Sequence, residues 1–251
     1  MKTEKLTSFL PANDLFPKDL IIDYYASIGE SLKPETLRVK IARLKSKGII
    51  VSVSRGWYRL NDKKQFEPQL NLSIKRLHGR IKKSFPFLNY LVWETDWLNN
   101  LSMLQLYRNI TVIEVEAGSE DSVFSMVKES HPSKTYLNPT ENDWRNYMSD
   151  RNDSIVIKTM VSESPKDVFH HIKVARLEKI LVDLYFDRLW QIIFKSELAN
   201  IFHSACSEYA VNFSTLLSYA ARRGRGKREE IWEYIKSLEV LDINTIKMIE
   251  K

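Results

Sequence analysis

Apolar residues recur at helical intervals in the first third of the chain and in short strand-like runs beyond it. In PETLRVKIARLKSK, residues 34–47, Leu37, Ile41 and Leu44 fall four and three apart, a spacing that lines one face of a helix and turns it towards a core. Pro34 suits the first helical position, and Gly48 sits where a left-handed C-terminal cap would end the helix. Upstream, EKLTSFL gives a turn or two of helix and PANDLF interrupts it. Pro17 then opens PKDLIIDYYAS, with Leu20, Tyr24 and Ser27 or Ile28 at helical spacing and Gly29 at its end. Downstream, IIVSV and WYRL are short strands rich in β-branched and aromatic residues, reversed across Ser54, Arg55 and Gly56. Three helices and a hairpin is the order of a winged helix-turn-helix, predicted here over residues 1–62.

Residues 63–83 form a basic connecting segment that becomes helical over LNLSIKRLHGRIKK; its cations either extend a basic surface or cover a solvated helix face. From residue 84 the pattern is that of a mixed α/β domain. FPFLNYLVWET, ITVIEVEA and SIVIKTMVSES predict strands, and DSVFSMVKES a helix between strands. Helical spacing resumes at Val174, with Leu177, Leu181 and Leu184 on one face, and continues as a helical end to residue 251, broken at Arg222–Gly226. The predicted fold class is α+β: a winged helix followed by this α/β domain.

Charge sharpens the division. Residues 1–83 hold 18 Lys and Arg against 8 Asp and Glu, whereas the remainder holds 20 against 24. Such asymmetry predicts a polyanionic partner for the basic part. No apolar run reaches the roughly 20 residues that cross a bilayer, and MKTEKLTSFLPAND has no signal-like apolar stretch, so the expectation is a cytoplasmic protein without membrane contact. A single cysteine, Cys206, forbids an intrachain disulfide and reads as a small buried hydrophobe.

If Leu37, Ile41 and Leu44 face inward, the opposite face of that helix carries Thr36, Val39, Arg43 and Ser46, flanked by Lys40 and Lys47 on one side and by Arg38 and Lys45 on the other. A major groove admits one helix, whose cations reach phosphates, and an Arg can bond guanine O6 and N7 together; Arg43 is the best base-reading candidate. At the hairpin, Gly56 permits a tight reversal that leaves Ser54 and Arg55 at the tip, where a wing can meet the DNA backbone or minor groove. Trp57 and Tyr58 alternate across the strand, so one anchors the hairpin and the other stays more open. Ten Lys and Arg against two acids between residues 33 and 64 support double-stranded DNA, such as the chain's own promoter or operator, as the partner.

PETLRVKIARLKSKGIIVSVSRGWYRL resembles the N-terminal winged helix of the bacterial abortive-infection antitoxins of type IV toxin–antitoxin operons. There, a leucine-rich helix also runs into "GII" and an arginine-glycine-aromatic-tyrosine wing. VARLEKILVDLYFD is similar to the helix after the α/β core of that family, with Arg176, Leu177, Glu178 and Lys179 where the family opens on proline-glutamate-arginine. NFSTLLSYAARRGRGKREEIWEYI resembles its helical end. The resemblance implies a repressor of its own operon whose C-terminal domain counteracts a nucleotidyltransferase-like toxin, directly or indirectly.

The rival reading is a DNA-directed enzyme, a nuclease or a nucleotidyltransferase, targeted by the winged helix. A nuclease would use Asp96 after LVWET with Glu114 or Glu116 on ITVIEVE to hold Mg²⁺. These carboxylates lack a lysine companion in sequence, and Lys158 in IVIK has no acidic neighbour there, which favours an edge strand with one polar face. His170 and His171 point apart on a strand or helix. His203 and Cys206 share a helix face without further ligands. No catalytic residue, metal or cofactor is assigned. Arg222, Arg223 and Arg225, with Lys227 and Arg228, form a basic loop between helices suited to phosphate or an acidic partner, or else cations that complement a helix terminus.

Overall fold

The computed structural model describes residues 2–12, 14–46, 48–104, 108–241 and 243–250, and the chain is mixed α+β. Its N-terminal part runs α1 (Lys2–Phe9), β1 (Phe16–Pro17), α2 (Lys18–Ser27), α3 (Pro34–Ser46), β2 (Ile50–Ser54) and β3 (Trp57–Leu60). Leu37 and Leu44 are buried and Ile41 packs beside them, so the predicted stripe of α3 faces a core shared with Leu6, Leu10, Phe16, Ile21, Tyr24 and Ile50. Gly48, at φ +64°, ends the helix. Its N–H meets the Lys45 carbonyl at 2.9 Å and the Ile49 N–H meets that of Leu44 at 2.9 Å, the paired bonds of a Schellman cap.

Two details here depart from the sequence pattern. The buried face of α2 is formed by Ile21 and Tyr24, while Leu20 is only half-buried and Ile28 is exposed. Phe16, expected in the turn PANDLF, and Pro17, expected to open the second helix, are instead strand residues paired with Tyr58 and Trp57, which fixes the direction in which α2 starts at Lys18. The result is a three-stranded sheet of order β1-β3-β2, with an irregularity between Ser52 and Ser54 in the β2–β3 register.

A tied segment follows. Lys64 pairs with Tyr209 in an isolated parallel bridge, and the Lys63 ammonium donates to the Cys206 carbonyl at 2.5 Å. Asn71 then caps α4 (Leu72–Ser84), accepting from the Ile74 N–H at 2.9 Å.

The larger sheet holds β4 (Tyr90–Glu94), β5 (Asn109–Val115), β6 (Thr135–Leu137), β7 (Asp153–Thr159), β8 (Lys166–Phe169) and β9 (Ile172–Ala175) in the order β6-β7-β5-β4-β9-β8. Parallel pairs β6–β7, β5–β7 and β4–β9 mix with antiparallel β4–β5 and β8–β9. The helix α5 (Glu120–Ser130) supplies the predicted crossover, and α6 (Glu141–Asp143) is a single turn behind a Thr140 capping box.

Beyond the sheet come α7 (Leu177–Phe186), α8 (Arg188–Ile193), α9 (Leu198–Glu208), α10 (Phe213–Arg222), α11 (Lys227–Ser237) and α12 (Ile243–Ile249). Helical spacing was expected from Val174, but Val174 is in β9 and the helix starts at Leu177. The β8–β9 hairpin escapes the pattern because its strands are short and its turn is His170-His171, both at positive φ, where glycine or asparagine would have signalled a reversal. The expected options of strand or helix for this histidine pair are both replaced by a tight turn. Among the described residues, no helix is long and apolar enough to cross a membrane.

Candidate nucleic-acid interface

The outer face of α3 is open. Thr36, Arg38, Val39 and Arg43 are exposed opposite the buried Leu37 and Leu44, with Val39 at 55% relative exposure. A β-branched side chain that bare beside two arginines gains nothing from the core. At the hairpin tip Arg55 is exposed and Gly56 adopts φ +81°. The Gly56 carbonyl accepts from the Lys18 N–H at 2.9 Å, tying the tip to the start of α2. Tyr58 is the anchor: it packs on the N-terminal core, 6.4 Å from the Phe16 ring, while Trp57 is half-buried.

The other predicted contacts divide. Lys40 is turned away from the outer face: its ammonium meets Glu30 at 2.8 Å and lies 3.6 Å from the Tyr25 ring centroid. Lys45 lines a groove with Phe66, Asp167 and Arg176, and loss of solvation, reinforced by the Arg176 charge, holds its pKa below the ordinary lysine value. Both side chains therefore belong to the flanks of α3. Ser54 is the last residue of β2, and Lys47 lies outside the described residues.

The carboxylates considered for metal chemistry are not gathered into one site. Glu114 is on β5, interior to the sheet and buried, so the expected edge strand with a polar face is overturned. Its lysine companion comes from elsewhere: Lys179 of α7, fully buried, pairs with Glu114 and, at 2.5 Å, with Asp183 one helical turn on. The Trp93 indole N–H donates to Glu114 at 3.1 Å, and the Tyr219 hydroxyl donates to Asp183 at 3.0 Å. Burial alone would drive the Lys179 proton off; the Asp183 and Glu114 charges outweigh it and raise the pKa, because two anions favour the charged form in a poorly solvated site.

Lys158 likewise has an acidic partner in space, Asp187. Glu116 lies one residue beyond β5, where its carboxylate accepts from the Asn89 N–H at 3.2 Å. Asp96 borders a separate cavity of about 850 Å³ with Glu94, Asn71 and Trp97. Glu94 faces the opposite side of the sheet from Glu114 and is held by Thr111 and Asn71, each at 2.7 Å. Among the described residues no three acidic, histidine or cysteine side chains come together as metal ligands.

The basic loop is not one open patch. Arg222 pairs with Glu163, and Arg223 turns inward to Asp183 at 3.6 Å, closing the network around Lys179; Arg225 is exposed. Lys227 meets Glu230 at 2.8 Å. The Lys179–Glu114 and Arg223–Asp183 pairings join β5, α7 and the end of α10 across long sequence separations, and no local pattern announces them.

A protein-family model described as a family of unknown function (DUF6577) matches residues 36–240, from the first turn of α3 to beyond α11. No curated protein and no solved structure matches the chain.

Proposed function

The chain belongs to the DUF6577 family, and we propose that it is a DNA-binding transcriptional regulator whose residues 1–62 are a winged helix. On this reading α3 is the recognition helix, Arg43 reads a base edge, Arg38 and Thr36 meet the backbone, and Arg55 leads the wing. The observation that carries it is the two-sided character of α3: Leu37 and Leu44 buried, Arg38, Val39 and Arg43 exposed. A solvated face would normally mix in acids, and the only carboxylate of α3 is Glu35.

The resemblance to abortive-infection antitoxins extends the proposal. The regulator represses its own operon, and residues 84–251 counteract a nucleotidyltransferase-like toxin. The stretch LEKILVD supports a common core more than a common partner surface, since Glu178, Lys179 and Asp183 are all buried. Arg225 and its exposed neighbours are the part of the basic loop left for a partner.

Binding of the purified chain to duplex DNA from upstream of its own gene, against a shuffled duplex, tests the proposal. Preference for the upstream duplex, with log affinity falling linearly against log salt, is the expected result. Equal weak binding to both would overturn the regulator reading.

A further inference from the structure

The helix α4 carries a second cationic surface that the proposed winged helix does not use. From Pro68 to Trp93 the chain contains five Lys and Arg and no Asp or Glu. All five, Lys75, Arg76, Arg80, Lys82 and Lys83, are exposed. Among the described residues none of them forms an ion pair; Lys82 donates to the Pro86 carbonyl at 2.8 Å. The apolar side, Ile74, Leu77 and Ile81, is 0–4% exposed. Helical geometry therefore puts Arg76 and Lys83, seven residues apart, on the outward ridge with Leu72 and Gly79, and the other cations on its flanks.

Three further features are unexplained by folding. Gly79 weakens a helix interior relative to alanine, yet a Cβ there would meet nothing within 4 Å. Packing does not require it, but close approach of another backbone would. Leu72 is 68% and Phe87 98% exposed, at opposite ends of the helix. An aromatic ring that bare, next to an acid-free cationic helix, is a platform on which an unpaired base can stack.

We propose that the outer face of α4 and Phe87 bind single-stranded nucleic acid, with phosphates running along Arg76, Lys83 and the flanking cations past Gly79 and a base stacked on Phe87. An anionic membrane fits less well. Interfacial helices bury a continuous apolar face, and that of α4 is already spent on the protein's own core. The inference does not depend on the proposed regulator role.

The test uses the full chain and a fluorescent oligothymidylate of about 20 nucleotides, long enough for such a platform, beside a duplex and phosphatidylserine vesicles. The expected result is salt-sensitive single-strand binding that weakens about tenfold in Phe87→Ala. The Arg76→Ala, Lys83→Ala double variant should lose about 1.4 from the log–log salt slope, some 0.7 for each phosphate contact. Gly79→Ala should weaken binding without lowering the melting temperature, and Arg43→Ala with Arg55→Ala should leave it intact. Absence of single-strand binding, indifference to Phe87→Ala, or vesicle binding in its place would overturn the inference. Sequence-selective duplex binding would stand or fall separately.

Discussion

Lys179 and Glu114, 65 residues apart in sequence, form an ion pair in which the lysine side chain has no solvent exposure. Asp183, Tyr219 and Arg223 complete the surroundings. Removing one member of such a set leaves uncompensated charge in a dry site, which typically costs about 3–5 kcal/mol. Lys179→Met should therefore destabilise the chain by about that much in urea unfolding. Adding Glu114→Gln should recover part of the loss, since the stranded carboxylate is then neutral. A fully additive double variant would show that the two residues do not interact.

Lys179 and, apart from its network, Tyr90 set an alkaline limit. Lys179 has a folded pKa above its ordinary 10.5, and burial pushes the Tyr90 phenol from 10.0 up to about 12. In both cases the folded state holds a proton that the unfolded state has released, so stability present below about pH 10 is lost as pH rises towards 12 and beyond. Thermal unfolding followed from pH 8 to 12 should show this decline, with a shallower slope in Tyr90→Phe. A melting temperature constant to pH 12 would contradict the assignment.

The two arginines at the end of α10 should differ although they adjoin. Arg222 and Glu163 are both well exposed, so Arg222→Ala should change stability by less than about 1 kcal/mol. Arg223 faces the buried Asp183, and its loss should cost roughly 2 kcal/mol, between the values for exposed and buried pairs. Equal effects in chemical denaturation would argue against the inward position of Arg223.

What the sequence made legible was local. The stripe Leu37–Ile41–Leu44, the cap at Gly48, the reversal at Gly56 and the helical start near Asn71 each depend on residues within a few positions of one another, and each is found in the structure. Lys179–Glu114 and Lys158–Asp187 escaped because the partners lie 65 and 29 residues apart, where spacing carries no signal. Spacing placed Leu177, Leu181 and Leu184 on one face of α7, yet Glu178, Lys179 and Asp183 are buried as well, among apolar neighbours on all sides, which marks a helix buried all round. The partners of Lys40 were not legible because Glu30 and Tyr25 reach it from the loop after the preceding helix and from that helix itself, outside the spacing of α3.

The turn His170-His171 offers a direct engineering check. Both residues have positive φ, 47° and 66°, between the paired Phe169 and Ile172. A two-residue hairpin of this kind favours Asn-Gly, and non-glycine residues held there carry a cost on the order of 1 kcal/mol each. His170→Asn with His171→Gly should raise the melting temperature by a few degrees; a drop would mean that the histidines make contacts worth more than the backbone strain.

The proposed role of α3 rests most directly on Arg43. Affinities of the wild-type chain and Arg43→Ala for the upstream duplex and for a shuffled duplex, measured at one salt concentration, give the discrimination of each protein. If Arg43 makes a bidentate contact to a base, the variant should lose roughly 1–3 kcal/mol of that discrimination, while its affinity for the shuffled duplex changes much less. Discrimination unchanged in a folded Arg43→Ala protein would contradict the assignment of α3 as the helix that reads DNA.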